Sequence, residues 1–513
     1  MDIDSAFRGA FTNIFGQCNI GLDELEGYLT RYHYPVIRAR SSISGKEVVL
    51  SSSNYPKGAV ISQDEISSGK PGPLHIDDIK DLDSLIGALE ERFGYAGNKV
   101  FGNSADVRES DNVVDSICVY RSHNIFSSRY VAYSSYVRDN SEFIFGSSYF
   151  FGCRNTISVV EAGNLSRAFE CYLTGYGSDL FFCYNCFNTS NAMFCFNQKT
   201  KKYVIGNSEL HRDKYLELRK KLLDESREYI EKNKTFYSIF DFHGLDKELI
   251  KEVNVPARKP RNDENLKTIE DAFNSTTRII FGKELGPVDK CAKMLGRRII
   301  PVGNVKTPFG SQAHYLDMFF YRNAPKERMV NSGEAWELGK LKAEIADGEK
   351  LETIAKKLAK IAFYRVDWYE GTLSNIMQTR FALNSANTYK VADAVNAKDC
   401  AYDTMAFDSE SIFGCFRAIH SRFSINCHDC VNVTGCFEMD SCNNCSSSMF
   451  CHNSENLDNC MFCFNAKSKR YAIGNVEAGR ENYLKIKKLV VEELRKRIEV
   501  QGEAGLDIYD LRA

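Results

Sequence analysis

The sequence predicts a mainly β chain with capping α-helices, arranged as a tandem pair of β-solenoids (β-helices) with coils of about 15 residues. Three observations carry that expectation. The segment "MFCFNQKTKKYVIGN" (193–207) returns as "MFCFNAKSKRYAIGN" (461–475), with eleven of fifteen positions identical at an offset of 268. Cys400, Cys415, Cys430, Cys445 and Cys460 follow one another at intervals of 15. Each repeated segment then runs into a stretch with helical periodicity.

The cysteine beat sets the coil length. A second column holds Cys436 and Cys451, and a third holds Cys427 and Cys442. The first half keeps the beat more loosely, from Cys171 to Cys186 and from Cys153 through Ala168 to Cys183. With Cys400 as position one, position thirteen carries Ile412, Cys427, Cys442 and Leu457, and position seven carries Ala406, Ser421, Cys436 and Cys451. These side chains are small or apolar, as a narrow interior requires. Position twelve (Ser411, Asn426, Ser441, Asn456) and the pairs Phe413-Gly414, His428-Asp429, Asn443-Asn444 and Asp458-Asn459 read as corners. Asn, Asp and Gly tolerate left-handed backbone, and Asn and Asp can bond their own chain.

The remaining elements follow from periodicity. Residues 208–232 and 476–500 read as amphipathic helices, with Tyr215, Leu222 and Tyr229 beside Leu216, Leu223 and Ile230 on one apolar face. A helix there caps the open edge of the last coil. "VIRARSSISGKEVVLSSS" (36–53) reads as a hairpin, 76–93 as a helix, and 334–363 as helical stretches. The expected organisation is an N-terminal hairpin and helix region (1–98), a first solenoid with its cap (99–232), a linker and mixed helical region (233–383), and a second solenoid with its cap (384–513). "VPARKPRNDEN" (255–265) is the most exposed part of the linker.

A formal net charge of −2 provides no basic field for nucleic acid. No window approaches the ~18 uninterrupted apolar residues of a membrane span. The acidic start "MDIDSAFRGAF" lacks the basic and apolar regions of a secretory signal. The expected setting is therefore a reducing, cytoplasmic one, or a particle assembled there, with the 18 cysteines as thiols or metal ligands.

Cys427, Cys430, Cys442 and Cys445 form the one metal-like constellation. In an extended strand residues three apart face opposite ways, so these pairs can converge only across corners. Two columns on adjacent coils would then place four thiols at the corners of a square ~4.8 Å high, room for a zinc ion at ~2.3 Å. The preferred reading is a buried cysteine ladder with no cofactor, because the column runs on to Cys400, Cys415 and Cys460, where no square exists. No catalytic residues are assigned. The chain has no P-loop, dinucleotide fingerprint, nucleophile elbow or H-E-x-x-H motif. Glu438 and Asp440 read as solvated surface acids. The repeated K-x-K-[KR]-Y-x-I-G-N (Lys199 to Asn207, Lys467 to Asn475) reads as a basic turn leading into the cap, with a phosphate site as the alternative.

"YVIGNSELHRDKY" (203–215) and "YAIGNVEAGRENY" (471–483) share the spacing Y-x-I-x-N-x7-Y. That motif resembles the end of an uncharacterised cysteine-rich repeat family found in candidate-phylum bacteria and environmental phages. The turn "SISGKEVV" (42–49) is similar to one near the start of such proteins, although their paired N-terminal cysteines are missing here. The resemblance implies cysteine-studded coils and no particular activity. The expected function is that of a non-enzymatic structural and interaction protein, an oligomer with protein partners or self-assembly in a virion or shell. Zinc binding through the four cysteines, and a carbohydrate-active enzyme using an outer groove, are the alternatives.

Overall fold

The computed structural model describes residues 1–66, 74–163, 168–171, 180–242, 255 and 265–511, so the expected exposed linker lies outside the described residues except at Val255 and Asn265. The protein is mainly β, with long parallel sheets and helices packed on them. Among the described residues no helix is long and apolar enough to cross a membrane.

The same series of elements occurs twice. In the first half, helix α1 (Ile3–Phe15) starts from Asp2, whose carboxylate accepts the Ser5 N–H at 2.9 Å, and stops at left-handed Gly16. An antiparallel hairpin follows (Ile37–Arg40, Glu47–Leu50). The strand Val60–Ser62 then pairs in parallel with Tyr95–Gly97, across α2 (Leu82–Leu89). Next come a stack of short parallel strands from Val100 to Ile205, closed by the antiparallel Ser208–Glu209, and α3 (Arg212–Asn233). In the second half, α4 (Lys267–Phe281) precedes a hairpin (Val302–Lys306, Gln312–Leu316). The strand Met329–Val330 pairs in parallel with Tyr364–Arg365, across α5 (Ser332–Leu338) and α6 (Leu351–Lys357). A second stack over 368–477 and α7 (Arg480–Gln501) complete it. The sequence carries this longer duplication faintly: Ile3, Ala6, Phe7, Ile14, Phe15 and Gly16 recur as Ile269, Ala272, Phe273, Ile280, Phe281 and Gly282.

The strand register corrects the expected coil length. Arg129 pairs with Ile117, Ile376 with Thr388, Thr388 with Cys400, and Met439 with Cys451, so the chain returns to a given column after 12 residues, not 15. The opening pairs, Val100 with Val113 and Trp368 with Phe381, span 13, as does the step from Arg129 to Glu142, where Asp139 and Asn140 are both left-handed and absorb the extra residue. Fifteen is one turn plus three residues. The cysteine spacing looked like a coil because the interior is addressed at every third residue.

Left-handed backbone explains that frame. Asn426, Asp429, Asn432, Glu438, Ser441 and Asn444 have φ of +51°, +49°, +54°, +52°, +53° and +52°. Each precedes an inward residue, and each bends the chain so that residues three apart both face inward, which an all-extended strand cannot do. All ten cysteines from Cys400 to Cys463 lie on this frame with Ile412, Ala418, Ser421, Ser424 and Val433, and all are buried. In the first stack Val113, Ser116, Val119, Ser122, Ile125, Ser128 and Val131 alternate large and small on the same frame.

Thiols and hydroxyls do the same work there. Ser116 Oγ donates to the Val114 carbonyl and accepts the Ser128 N–H, one turn on, at 3.0 Å. Cys436 Sγ donates to the Thr434 carbonyl at 3.5 Å, and Cys415 Sγ accepts the Cys427 N–H at 3.5 Å. At the left-handed positions, amides bond along the axis. Asn375 Nδ2 donates to Asn387 Oδ1 at 2.9 Å and Asn387 Nδ2 to Asp399 Oδ1 at 2.6 Å. Local preference and interior packing therefore demand the same sequence pattern.

A second, outward column also keeps the 12-residue register. Met377, Tyr389, Ala401, Phe413, Ile425, Phe437, Met449, Met461 and Ile473 form an apolar stripe up the second stack. Helix α4 lies on it, with Phe273 edge-on to Phe413 at 5.1 Å and Phe281 to Phe437 at 5.0 Å. Helix α1 covers the matching stripe of the first stack, Phe7 against Phe145 and Phe15 against Phe169. The long helices cap as expected, but Leu216 and Leu484 are exposed, and the buried face of α3 runs through Tyr215, Leu218, Leu222, Ser226 and Ile230.

The two halves exchange their hairpin and βα segments. Tyr95 Oη donates to the Ile508 carbonyl, and Asn465 Nδ2 donates to the Gly94 carbonyl at 2.8 Å, so the first segment is bonded to the second stack and its tail. Tyr364 Oη donates to the Ile239 carbonyl and Asn197 Nδ2 to the Phe363 carbonyl, each at 2.8 Å, which is the same pair of bonds in reverse. The stacks also touch side by side, where Arg417 lies over the rings of Phe126 and Tyr136. The regions 1–98 and 233–383 thus each divide their packing between both stacks.

Two expected outcomes follow from the inward frame. Cys442→Ser keeps a small hydrogen-bonding side chain and costs about 1 kcal/mol, whereas Cys442→Leu overpacks the interior and costs about 3 kcal/mol; urea unfolding measures both. Asp403 stands on the same frame, buried, with Oδ1 accepting the Cys415 N–H at 2.7 Å and Oδ2 without a partner. Burial raises its carboxyl well above the usual range. The folded state therefore keeps a proton that the unfolded chain releases above its ordinary pKa of 3.8, and stability falls as pH rises from there. Asp403→Ser, the residue type this frame otherwise uses, stabilises the protein by about 1 kcal/mol or more near neutral pH, with a gain that grows from pH 4 upward in melting scans.

Candidate functional site

The four candidate zinc ligands do not form a square. With a 12-residue register Cys442 stacks on Cys430, but Cys427 lies between Cys415 and Met439, and Cys445 between Val433 and Leu457. The four climb the interior as a staircase. Their thiols donate to the carbonyls two residues back, at Ile425, His428, Asp440 and Asn443, over 3.2–3.6 Å. All four are at most 2% exposed, and burial pushes the Cys427 and Cys442 thiols well above their usual range. Among the described residues no group of three or more His, Cys, Asp or Glu side chains is arranged to hold a metal ion.

Glu438 and Asp440, expected on the solvated surface, are 1% and 2% exposed. Glu438 is left-handed, and Met439, packed among the inward cysteines, separates it from Asp440. The C-terminal tail and the Tyr95–Gly97 strand cover both. Glu438 accepts Asn426 Nδ2 at 2.7 Å and the Ile508 N–H at 3.0 Å; burial pushes its carboxyl up to about 8. Asp440 accepts Tyr509 Oη at 3.0 Å on one oxygen and His452 Nδ1–H at 2.6 Å on the other. His452 Nε2 in turn accepts the Ala96 N–H at 3.2 Å. That last bond fixes the neutral tautomer, since a proton on Nε2 would face a backbone N–H. Burial lowers the His452 imidazole despite Asp440. Burial alone would raise Asp440, but the hydrogen bond from His452, with the Lys99 ammonium nearby, outweighs it and holds the carboxyl below its usual range. Tyr55 and Tyr95 pack their rings on His452, and Lys99, wholly buried, pairs with Asp111 at 3.2 Å beside them.

The first half has a simpler version of this joint. Glu170, the counterpart of Glu438, accepts Tyr28 Oη at 2.8 Å, Arg31 Nη2 at 2.5 Å and the Ile239 N–H at 3.2 Å. Burial pushes its carboxyl up to about 7. Tyr184, the counterpart of His452, donates to the Arg365 carbonyl at 2.8 Å. A Tyr–Asp–His relay could move a proton, but here each member is spent on a backbone group or a neighbour and is sealed from solvent. The arrangement fastens segments.

The Y-x-I-x-N-x7-Y residues close the stacks. Asn207 accepts the Phe196 N–H and donates to its carbonyl, and Asn475 does the same with Phe464. Tyr203 packs on Tyr215, and Tyr471 on Tyr483, joining stack to cap. Nothing local in the sequence marked His452, Tyr509 and Lys99 as partners, because 353 residues separate Lys99 from His452. No family model, curated protein or solved structure matches the chain.

His452→Ala leaves one oxygen of the buried Asp440 carboxylate and the Ala96 N–H without a partner, at a cost of about 3 kcal/mol at neutral pH. A base lowered on folding contributes stability above its ordinary 6.5 that is lost as pH falls through the folded value, so the cost of the substitution shrinks in acid. Urea midpoints of both proteins from pH 8 to pH 4 measure the difference.

Proposed function

We propose that the two stacks are β-solenoids with twelve-residue turns, and that the protein is a non-enzymatic structural and interaction protein that packs in a larger assembly such as a virion or shell. The observation that carries this reading is the reciprocal exchange of segments, which ties two copies of the same stack into one body with its titratable clusters turned inward. Glu438 and Asp440 lie beneath packed chain, so a polymer cannot reach them as it reaches acids in an open hydrolase groove.

The exposed columns support the same reading. Arg129 and Arg154 flank Glu142 on successive turns, Lys398 pairs with Glu410 at 3.5 Å, Lys467 with Glu455 at 2.8 Å, and Arg470 with Asp458 at 2.9 Å. Such flat faces of alternating charge suit self-complementary, salt-sensitive contacts between rigid bodies. Light scattering in reducing buffer tests it: the expected result is a discrete or growing assembly that dissociates as salt is raised. A constant 58.2 kDa monomer at every concentration contradicts it.

A further inference from the structure

The duplication provides an internal control for charge, and at one place the halves differ. At the end of the second stack the motif lysine Lys467 is neutralised by Glu455, and Arg470 by Asp458. The first-half counterparts of those acids are Phe187 and Ser190. Among the described residues no carboxylate pairs with Lys199. Lys199 instead reaches over the ring of Trp336, 5.5 Å from its centroid.

Around this point the structure forms a groove of about 360 Å³, lined by Lys199, Lys201, Lys340, Lys342 and Trp336, with Glu209 as its one acid. That volume lies within the range of small-molecule sites, about 300–1,000 Å³. Glu209 pairs with Lys201 at 2.7 Å and Glu337 with Lys340, which leaves Lys199 and Lys342 as the groove's uncompensated cations among the described residues. Arg365 adds a buried cation behind it. Its guanidinium packs on Trp336 and on Trp368, at 4.8 and 3.4 Å, and its Nε and Nη2 have no hydrogen-bond partner. An unpaired buried guanidinium is costly unless an anion can approach. The two indoles, 6.5 Å apart, are the only tryptophans in the chain.

We propose that this groove binds a phosphorylated small molecule with a flat ring, a nucleoside monophosphate by chemical class, its phosphate between Lys199 and Lys342 and its ring against Trp336. Lysines act as point charges toward phosphate, and an indole face accepts any planar base. The site goes beyond the scaffold reading and does not depend on it.

Tryptophan emission reports this groove, because Trp336 lines it and Trp368, the other tryptophan of the chain, packs against Trp336. Adenosine 5′-monophosphate titrated at low salt is expected to change the emission saturably, more tightly than adenosine or inorganic phosphate. In Lys199→Glu/Lys342→Glu the affinity falls by at least about tenfold, while Lys467→Ala, the equivalent lysine of the second half, leaves it unchanged. Calorimetry on Trp336→Phe checks the ring contact without relying on emission. No saturable response, equal affinity for adenosine and its monophosphate, or an unchanged double variant overturns the proposal. So does a single-stranded oligonucleotide that binds far more tightly than the mononucleotide, which would make the groove part of a polymer site.

Discussion

One backbone constraint underlies the molecule: through both stacks, about one residue in three is held in the left-handed region. For most L-residues that conformation costs about 1–2 kcal/mol, so a chain that repeats it this often must recover the energy at every turn. It does so by placing Asn or Asp at about half of these positions, where side chains bond along the axis, and by turning every third residue into a close-packed interior. The small inward residues follow from the narrowness of that interior. The inward cysteines of the stacks belong to this requirement: each is a compact, polarisable group, and all ten from Cys400 to Cys463 still donate a weak hydrogen bond to the carbonyl two residues back. The flat outer columns, the stripes that α1 and α4 cover, and the closing Asn207 and Asn475 all inherit the same 12-residue register.

The exchange of segments then decides where polar groups go. Joining the Tyr95–Gly97 strand to the second stack buries His452, Asp440 and Lys99, and joining Tyr364–Arg365 to the first covers Tyr184. These joints make stability depend on pH in opposing ways. Burial lowers the His33, His123 and His428 imidazoles to about 4, so the unfolded chain takes up their protons first as pH falls below 6.5. Burial raises Asp429 to about 6, Glu170 to about 7 and Glu438 to about 8, so these acids favour folding at low pH and oppose it as they ionise. The two sets offset each other between pH 4 and 6.5.

Much of the architecture was legible in the sequence. The repeated end segments, the capping helices, the hairpin at 36–53 and the small interior residues all stand where the patterns put them. The turn length was not, because a cysteine column reveals only multiples of three, and 15 and 12 both satisfy that frame. The stripe from Met377 to Ile473 would have separated them, since it repeats at 12 with no exceptions, but Met, Tyr, Ala, Phe and Ile share only apolarity. Glu438 and Asp440 looked exposed because what buries them, Tyr509 and the Tyr95–Gly97 strand, comes from distant chain. The duplication of α1 in α4 is faint in the sequence, because six matching residues spread over 14 positions carry little signal.

The central claim is that the inward thiols of the stacks serve as buried packing groups on a three-residue frame. Counting the thiols modified in the native protein, residue by residue, with and without a chelator, tests it most directly. The account predicts that Cys18, the one partly exposed cysteine, reacts quickly, that the other 17 react only on unfolding, and that chelation changes nothing. Release of Cys427, Cys430, Cys442 and Cys445 to the reagent on chelation would contradict it and make the staircase a metal site.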